Sequence, residues 1–190
     1  MSKMITNLNI SLFFVVCFCI NYGESCKSFI KCDPYPRVRK ALAMINGTEN
    51  GKAITGFIKL KASHNKYVTI SGTINGLVPD STHALNIHES GDVRELCKHV
   101  GNHYNPFNKK HGDSHKFNRH VGDLGNYKAN SKGEISINII DRYVKLSGKQ
   151  SVIGRAIVLY QNSDELSPQS LGKVGNKIAC GPIGIVEEYK

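Results

Sequence analysis

Long apolar runs are almost absent from this 190-residue chain. The longest, Leu12–Ile20, has 9 residues. A bilayer span needs about 20, so a multi-pass membrane protein is excluded. Helical periodicity is missing as well: no long stretch repeats apolar residues at i, i+3 and i+4. Acidic residues are few beside basic ones, 15 Asp+Glu against 25 Lys+Arg, for a net charge of +10. That charge favours nucleic acid, anionic glycans or small anions without choosing among them. Only two basic groupings stand out, Arg37-Arg39-Lys40 and Lys109-Lys110. Neither carries interleaved aromatics or a nucleic-acid motif, so a solvated basic surface is expected and nucleic acid is not an expected partner. A Met-x-Cys-x-x-Cys metal-transfer motif is also lacking. What is there is globular composition, 40% hydrophobic and 21% charged, which argues against a mainly disordered chain.

The chain opens like a secretory signal peptide. Lys3 supplies the positive start, Leu12–Ile20 the apolar centre, and Gly23 and Ser25 the small residues a peptidase needs. Residues 1–25 are therefore expected to leave, with secretion to the extracellular space and no membrane attachment afterwards. Cys17 and Cys19 leave with the signal, and Cys26, Cys32, Cys97 and Cys180 remain. An even count in an oxidising compartment permits two disulfides, with three pairings open. Cys26 and Cys32 are near neighbours and form a candidate pair. Asn46-Gly47-Thr48 is a glycosylation sequon with a turn-like Asn-Gly. Residues 26–39, with Pro34 and Pro36 and no periodicity, read as an extension, and 40–190 as the domain.

Within that domain, period-two alternation marks half-buried strands. Ile54, Gly56, Ile58 and Leu60 share one face, against Thr55, Phe57 and Lys59. Val68, Ile70, Gly72 and Ile74 alternate with Thr69, Ser71 and Thr73, and Ile135, Ile137 and Ile139 with Ser136 and Asn138. Ala41–Ile45, Ala84–His88, Gly154–Tyr160 and Gly181–Val186 are further strand candidates. Many short strands with Gly-rich turns imply an all-β sandwich or barrel. Two stretches, Gly91–Asn126 and Gln161–Ala179, read as long loops, and such loops are commonly functional.

The first loop holds five of the eight histidines: His99, His103, His111, His115 and His120. His103, His111, His120 and Asp123 offer three imidazoles and a carboxylate, the donor set of a tetrahedral zinc site. Four ligands with no open position would make such a site structural, contributing folding free energy to a loop without its own core. His99 and His115 have no partner at ligand spacing and read as solvated.

Gly101-Asn102-His103-Tyr104-Asn105-Pro106, Lys110-His111-Gly112 and Arg119-His120-Val121-Gly122-Asp123-Leu124-Gly125-Asn126 resemble the zinc loop of copper/zinc superoxide dismutases. Asn86-Ile87-His88-Glu89, Leu146-Ser147-Gly148, Ile153-Gly154-Arg155 and Ala179-Cys180-Gly181 follow in the family's order. The resemblance runs from about Lys40 to Val186. It implies an eight-stranded Greek-key β-barrel with long zinc and electrostatic loops, a Cys97–Cys180 disulfide and a homodimer. It also implies zinc on His103, His111, His120 and Asp123, with Asp164 as the aspartate that orients the metal ligands from behind. His83 matches a structural histidine.

The family's copper set is not intact. His88 and the bridging His103 remain, but Asn86 and Tyr160 stand where the family has histidines, and Lys177 stands for the arginine that guides the anion. Imidazole suits copper, an amide oxygen suits it poorly, and a phenol with pKa about 10 is protonated at neutral pH. Lysine keeps the charge but lacks the planar fork of guanidinium. The segment Ser167–Gly172 also lacks the family's charged loop centre. The expectation is a secreted, zinc-binding protein of this family with weak or absent copper, acting on an unknown protein or glycan partner as a binding or decoy protein. The alternative is an active superoxide dismutase with an altered copper site.

Overall fold

The computed structural model describes residues 37–63, 66–165 and 174–186. Eight strands follow in chain order: β1 (Lys40–Glu49), β2 (Lys52–Ala62), β3 (Val68–Asn75), β4 (Thr82–His88), β5 (Asp123–Lys128), β6 (Ile135–Asp141), β7 (Ala156–Tyr160) and β8 (Lys177–Ile185). They form one sheet in the order β5-β4-β7-β8-β1-β2-β3-β6, and every neighbouring pair is antiparallel. The end strands β5 and β6 meet, so the sheet curls into a nearly closed barrel. This is the all-β Greek-key architecture expected from the alternation and the resemblance.

Alternation along the strands decides what fills the barrel. Ile54, Ile58 and Leu60 of β2, Val68, Ile70 and Ile74 of β3 and Ile135 and Ile137 of β6 are buried in one cluster. Leu85 and Ile87 of β4 and Ile157 and Leu159 of β7 join them from the other side. β4 and β7 are buried on both faces, because their outer residues lie under the long loops. Ala84, Ala156, Val158, Tyr160, Cys180, Cys97 and Val100 make a second apolar cluster there, outside the barrel. The outward residues of β1 and β2 have no such roof, and Met44 is 55% exposed.

Three sequence expectations change. Gly91–Asn126 is not all loop: Asp123–Lys128 pairs with β4 as β5, since Leu124 turns into the core and supplies the inward anchor. Gln161–Ala179 is shortened likewise, because β8 already begins at Lys177 and pairs with Tyr160. The Asn-Gly turn is not at Asn46-Gly47, which sits inside β1. It lies at Asn50-Gly51, where both residues have positive φ (51° and 77°) between the paired Glu49 and Lys52. Gly47 serves close approach instead: a Cβ there would meet the Ile178 carbonyl at 2.0 Å. The expected signal segment 1–25, Cys26, Cys32 and Ser167–Gly172 lie outside the described residues.

Gly47→Ala should therefore push β1 off β8 and cost about 1–3 kcal/mol, the range of overpacking changes. Gly184→Ala, whose Cβ would meet nothing nearer than 3.8 Å, should stay within about 0.5 kcal/mol. Denaturant melts of the two variants check the contrast.

Candidate metal centre

The site forms where the loop after β4 folds back over the outer face of β4 and β7. His88 closes β4 and bridges to His103 on the returning loop. Tyr104 anchors that return: its N–H donates to the Ile87 carbonyl, its carbonyl accepts from Gly122, and its ring lies under the Arg155 guanidinium. Gly101 lies against the Glu89 side chain, whose Oε1 accepts the Asn102 N–H at 3.1 Å. The polar loop thus satisfies its backbone by pairing with strand ends instead of with a ladder of its own.

Four ligand-type residues meet here. The ligand atoms of His103, His111, His120 and Asp123 all lie within 4.8 Å of one another. The Nδ1 atoms of His103, His111 and His120 approach Asp123 Oδ1 at 2.9, 3.1 and 3.2 Å. The other carboxylate oxygen, Oδ2, accepts the backbone N–H of His120 at 2.8 Å and of Gly112 at 3.1 Å. Asp123 is buried, which works against its charge, yet hydrogen bonds from the three imidazoles outweigh burial and hold its carboxyl well below the usual carboxylate range. Hydrogen bonding to Asp123, then to Asp164, raises His111 from 6.5 to about 10. Three imidazole nitrogens and one carboxylate oxygen turned toward one point form a complete donor set for a tetrahedral cation, which would take the place of the shared protons.

Asp164 stands behind the cluster, its Oδ2 2.9 Å from His111 Nε2. Asn126 clamps it in place, since Asn126 Nδ2 donates to the Asp164 carbonyl and Asn126 Oδ1 accepts the Asp164 N–H, at 2.9 and 2.8 Å. Among the described residues no hydrogen bond runs on from Asp164 to Asn86 or His88. His99 and His115 stay outside the cluster, with side chains 47% and 90% exposed.

The second half of the site is different. His88 Nδ1 donates to the Gly101 carbonyl at 2.8 Å, which leaves Nε2 as the lone-pair nitrogen. That nitrogen is occupied by the Tyr160 hydroxyl at 3.1 Å. Burial lowers His88 to about 3 and raises Tyr160 to about 12, so the pair is a neutral imidazole and a neutral phenol across the physiological range. His83 holds the Tyr160 backbone, its Nδ1 2.9 Å from the Tyr160 carbonyl. Asn86 is buried, and its Nδ2 has no hydrogen-bond partner among the described residues. Lys177 lies beside Tyr160 on the rim of a cleft of about 580 Å³ that also reaches His88, His103 and Asn105. Its ammonium pKa is lowered by partial burial.

Two supports lie outside the ligand set. Cys97 and Cys180 are disulfide-bonded, tying the loop to β8 across 83 residues. Cys97 ends a turn, Arg94–Cys97, in which Glu95 and Leu96 have left-handed φ of 49° and 51°. A cross-link of this kind typically stabilises by about 2–4 kcal/mol. The other support, the ion pair of Arg119 with Asp141, was not singled out from the sequence, although Arg119 lies inside the histidine motif. Arg119 is buried, contacts Asp141 through Nη2 and donates Nη1 to the carbonyls of His120 and Asp123. Asp141 in turn accepts the N–H groups of Tyr143 and Val144. The signal was an arginine directly before a candidate ligand histidine, but its carboxylate partner is 22 residues away.

The comparisons agree with this geometry. Residues 54–183 match the family model of copper/zinc superoxide dismutase (SODC). The chain is 39% identical over 142 residues to superoxide dismutase [Cu-Zn] 5 of Dictyostelium discoideum, covering 71% of this chain and 93% of that one. It is 39% identical over 160 residues to the extracellular superoxide dismutase [Cu-Zn] of Caenorhabditis elegans (80% and 72%) and 40% identical over 154 to that of Brugia pahangi (76% and 75%). The crystal structure of the clock protein EA4 superposes with TM-score 0.72 at 35% identity, covering 80% of this chain and 97% of that one. The chain belongs to the copper/zinc superoxide dismutase family.

Replacing Arg119 by Met would leave the Asp141 carboxylate buried without its partner. Breaking one side of such a pair costs about 3–5 kcal/mol. The expected outcome is a loss of that size in denaturant unfolding, with faster amide exchange across His103–Asp123.

Proposed function

We propose that this chain is a secreted, zinc-held member of the dismutase family that does not turn over superoxide and acts by binding a protein or glycan partner. The observation that carries the reading is the His88–Tyr160 hydrogen bond. Tyr160 does not merely fail to supply an imidazole. Its hydroxyl ties up the lone pair of His88, one of the two imidazoles left for copper.

Zinc fits the residues present. His103, His111, His120 and Asp123 would hold it, and the metal would supply charge that fixes the loop to the barrel. Copper does not fit. Asn86 brings an amide, Tyr160 a neutral phenol, and neither replaces an imidazole in a site that must hold both Cu(II) and Cu(I). Lys177 keeps positive charge at the cleft without the two-pronged geometry that an arginine offers an anion. The extracellular relatives support export, which the N-terminal pattern also supports. The names of the curated relatives favour the second reading, a working dismutase with altered copper geometry.

Zinc at about 100 times its dissociation constant should add about 2.7 kcal/mol to the stability of the metal-free chain. His120→Ala should lose most of that gain in a calorimetric melt with and without zinc. An equal gain in the variant would contradict the four-residue assignment.

Asn86→His combined with Tyr160→His should recover stoichiometric copper binding, read by elemental analysis and by the visible absorption of Cu(II). Tyr160→Phe removes the hydroxyl without adding a ligand, and should free His88 Nε2 yet still bind copper weakly. A parent chain that already holds one tightly bound copper would favour the working-enzyme reading.

A further inference from the structure

Basic residues far apart in the sequence meet around Phe117, where the histidine-rich loop packs against the end of β6. Phe117 is 71% exposed, and the Arg142 guanidinium lies over its ring, 4.6 Å from the centroid. The Phe117 carbonyl accepts from Lys109 Nζ at 3.2 Å and from the Tyr143 hydroxyl at 3.0 Å. The Lys109 ammonium also lies over the Tyr143 ring, 5.3 Å from its centroid. Beyond Arg142, Lys145 Nζ donates to the carbonyls of Lys66 and Arg142 at 2.6 and 2.7 Å. Successive contacts thus string Lys109, Arg142, Lys145 and Lys66 along one surface. Lys116 is exposed next to Phe117, and Ile140, 74% exposed, lies two residues before Arg142. Ile140 pairs with Thr69 and Thr69 with Lys61, which carries the row across to β2.

No carboxylate answers this charge. Asp141 is taken by Arg119, and Asp113 by the backbone and ring of His115. Among the described residues, none of Lys61, Lys66, Lys109, Lys116, Arg142 and Lys145 is ion-paired with a carboxylate. Burial lowers the Lys145 ammonium; the Asp141 charge opposes that and the Lys66 charge adds to it. Cations gathered in this way repel one another, and an anion laid across them relieves the repulsion. They are also held in place. Ring and carbonyl contacts fix Lys109, Arg142 and Lys145, so less side-chain freedom is lost when a ligand arrives. Lys109 keeps two of its three ammonium donors for that ligand, and Lys145 keeps one.

We propose that this surface binds a sulfated polysaccharide, with sulfates on Lys66, Lys109, Arg142 and Lys145 and a sugar ring on Phe117. The inference rests on the binding reading above and names its partner class. Cations strung along a surface suit a repeating anion, since a single small anion reaches only one or two of them. Sulfate stays ionised across the physiological range and accepts charge-assisted hydrogen bonds from ammonium and guanidinium. Phe117 keeps most of its surface for the C–H side of a pyranose, whose hydroxyls stay in water. A bilayer suits the surface less: Phe117 cannot enter hydrocarbon without taking along the charge that lies over its ring.

The full chain, exported by a eukaryotic host, is titrated with a heparin-derived oligosaccharide and with the same oligosaccharide stripped of sulfate. Binding is expected with the sulfated probe only, and it should weaken as salt rises. Lys109→Gln combined with Arg142→Gln should weaken it about tenfold, the effect of two exposed charge contacts. Phe117→Ala should weaken it about fivefold. Lys52→Gln combined with Lys132→Gln removes the same charge from the start of β2 and the turn before β6, and should change it less than about twofold. In the unsubstituted protein, bound oligosaccharide should shield Lys66, Lys109 and Lys116 from acetylation and leave Lys52 and Lys132 reactive, a pattern that no folding defect can mimic. Equal binding of the two probes, or equal loss in the two double variants, overturns the proposal, because net charge alone then accounts for binding. Tighter binding of oligothymidylate, or of phosphatidylcholine vesicles containing phosphatidylserine, overturns it as well and turns the surface over to nucleic acid or to a membrane. A chain that ignores the sulfated probe and consumes no superoxide overturns this inference alone and leaves a protein as the partner. A chain that binds the probe and consumes superoxide overturns the non-catalytic reading alone.

Discussion

The carboxylate of Asp123 is the constraint on which the rest of the site depends. Its two oxygens do different work. Oδ2 is spent on the backbone of Gly112 and His120, which fixes the loop that delivers two of the three histidines. Oδ1 faces the three imidazoles. A carboxylate so placed must be held rigidly, and β5 does that by pairing Asp123 with Asn86 of β4. Arg119 adds a cation from the other side, satisfying the carbonyls of His120 and Asp123 that the loop leaves without strand partners. The cost of burying Arg119 is offset by Asp141, so the histidine-rich loop and the end of β6 are bound into one unit.

The two halves of the site have been treated oppositely by the sequence. One half has its four donors, their backbone support and the aspartate behind them. In the other half a neutral phenol is hydrogen-bonded to a neutral imidazole, both buried at the floor of the cleft. Asn86 is buried beside this pair and leaves its amide nitrogen without a partner among the described residues. Tyr160 also belongs to the outer apolar cluster, so the pair is joined to its packing. The fold thus keeps its loop in place from both halves, by charge in one and by packing in the other.

Much of the barrel was legible because its strands alternate strictly: Val68, Ile70 and Ile74 point inward, as their spacing requires. The ligand cluster was legible because each donor sits in a short motif that survives without the fold. Strand β5 was not, since in Asp123-Leu124-Gly125-Asn126 the polar residues stand three apart with a glycine between, which breaks the period-two strand pattern. The turn at Asn50-Gly51 was missed beside an identical dipeptide at Asn46-Gly47, because local propensity alone cannot tell a turn from a close strand approach. Arg119 and Asp141 could not be joined from the sequence, for their pairing is made by the barrel and not by spacing. The Tyr160 substitution was visible as a lost ligand, but its hydrogen bond to His88 required the register of β7 against β4.

The central claim is that the chain keeps the family's fold and metal-gathering loop without the family's redox turnover. It is tested most directly by one measurement: superoxide consumption by the unmodified, zinc-loaded protein of quantified metal content, in added copper and beside a chelated control. The account predicts a rate at the level of the chelated control at every copper concentration. A rate that rises with bound copper and saturates at one copper per chain would contradict it.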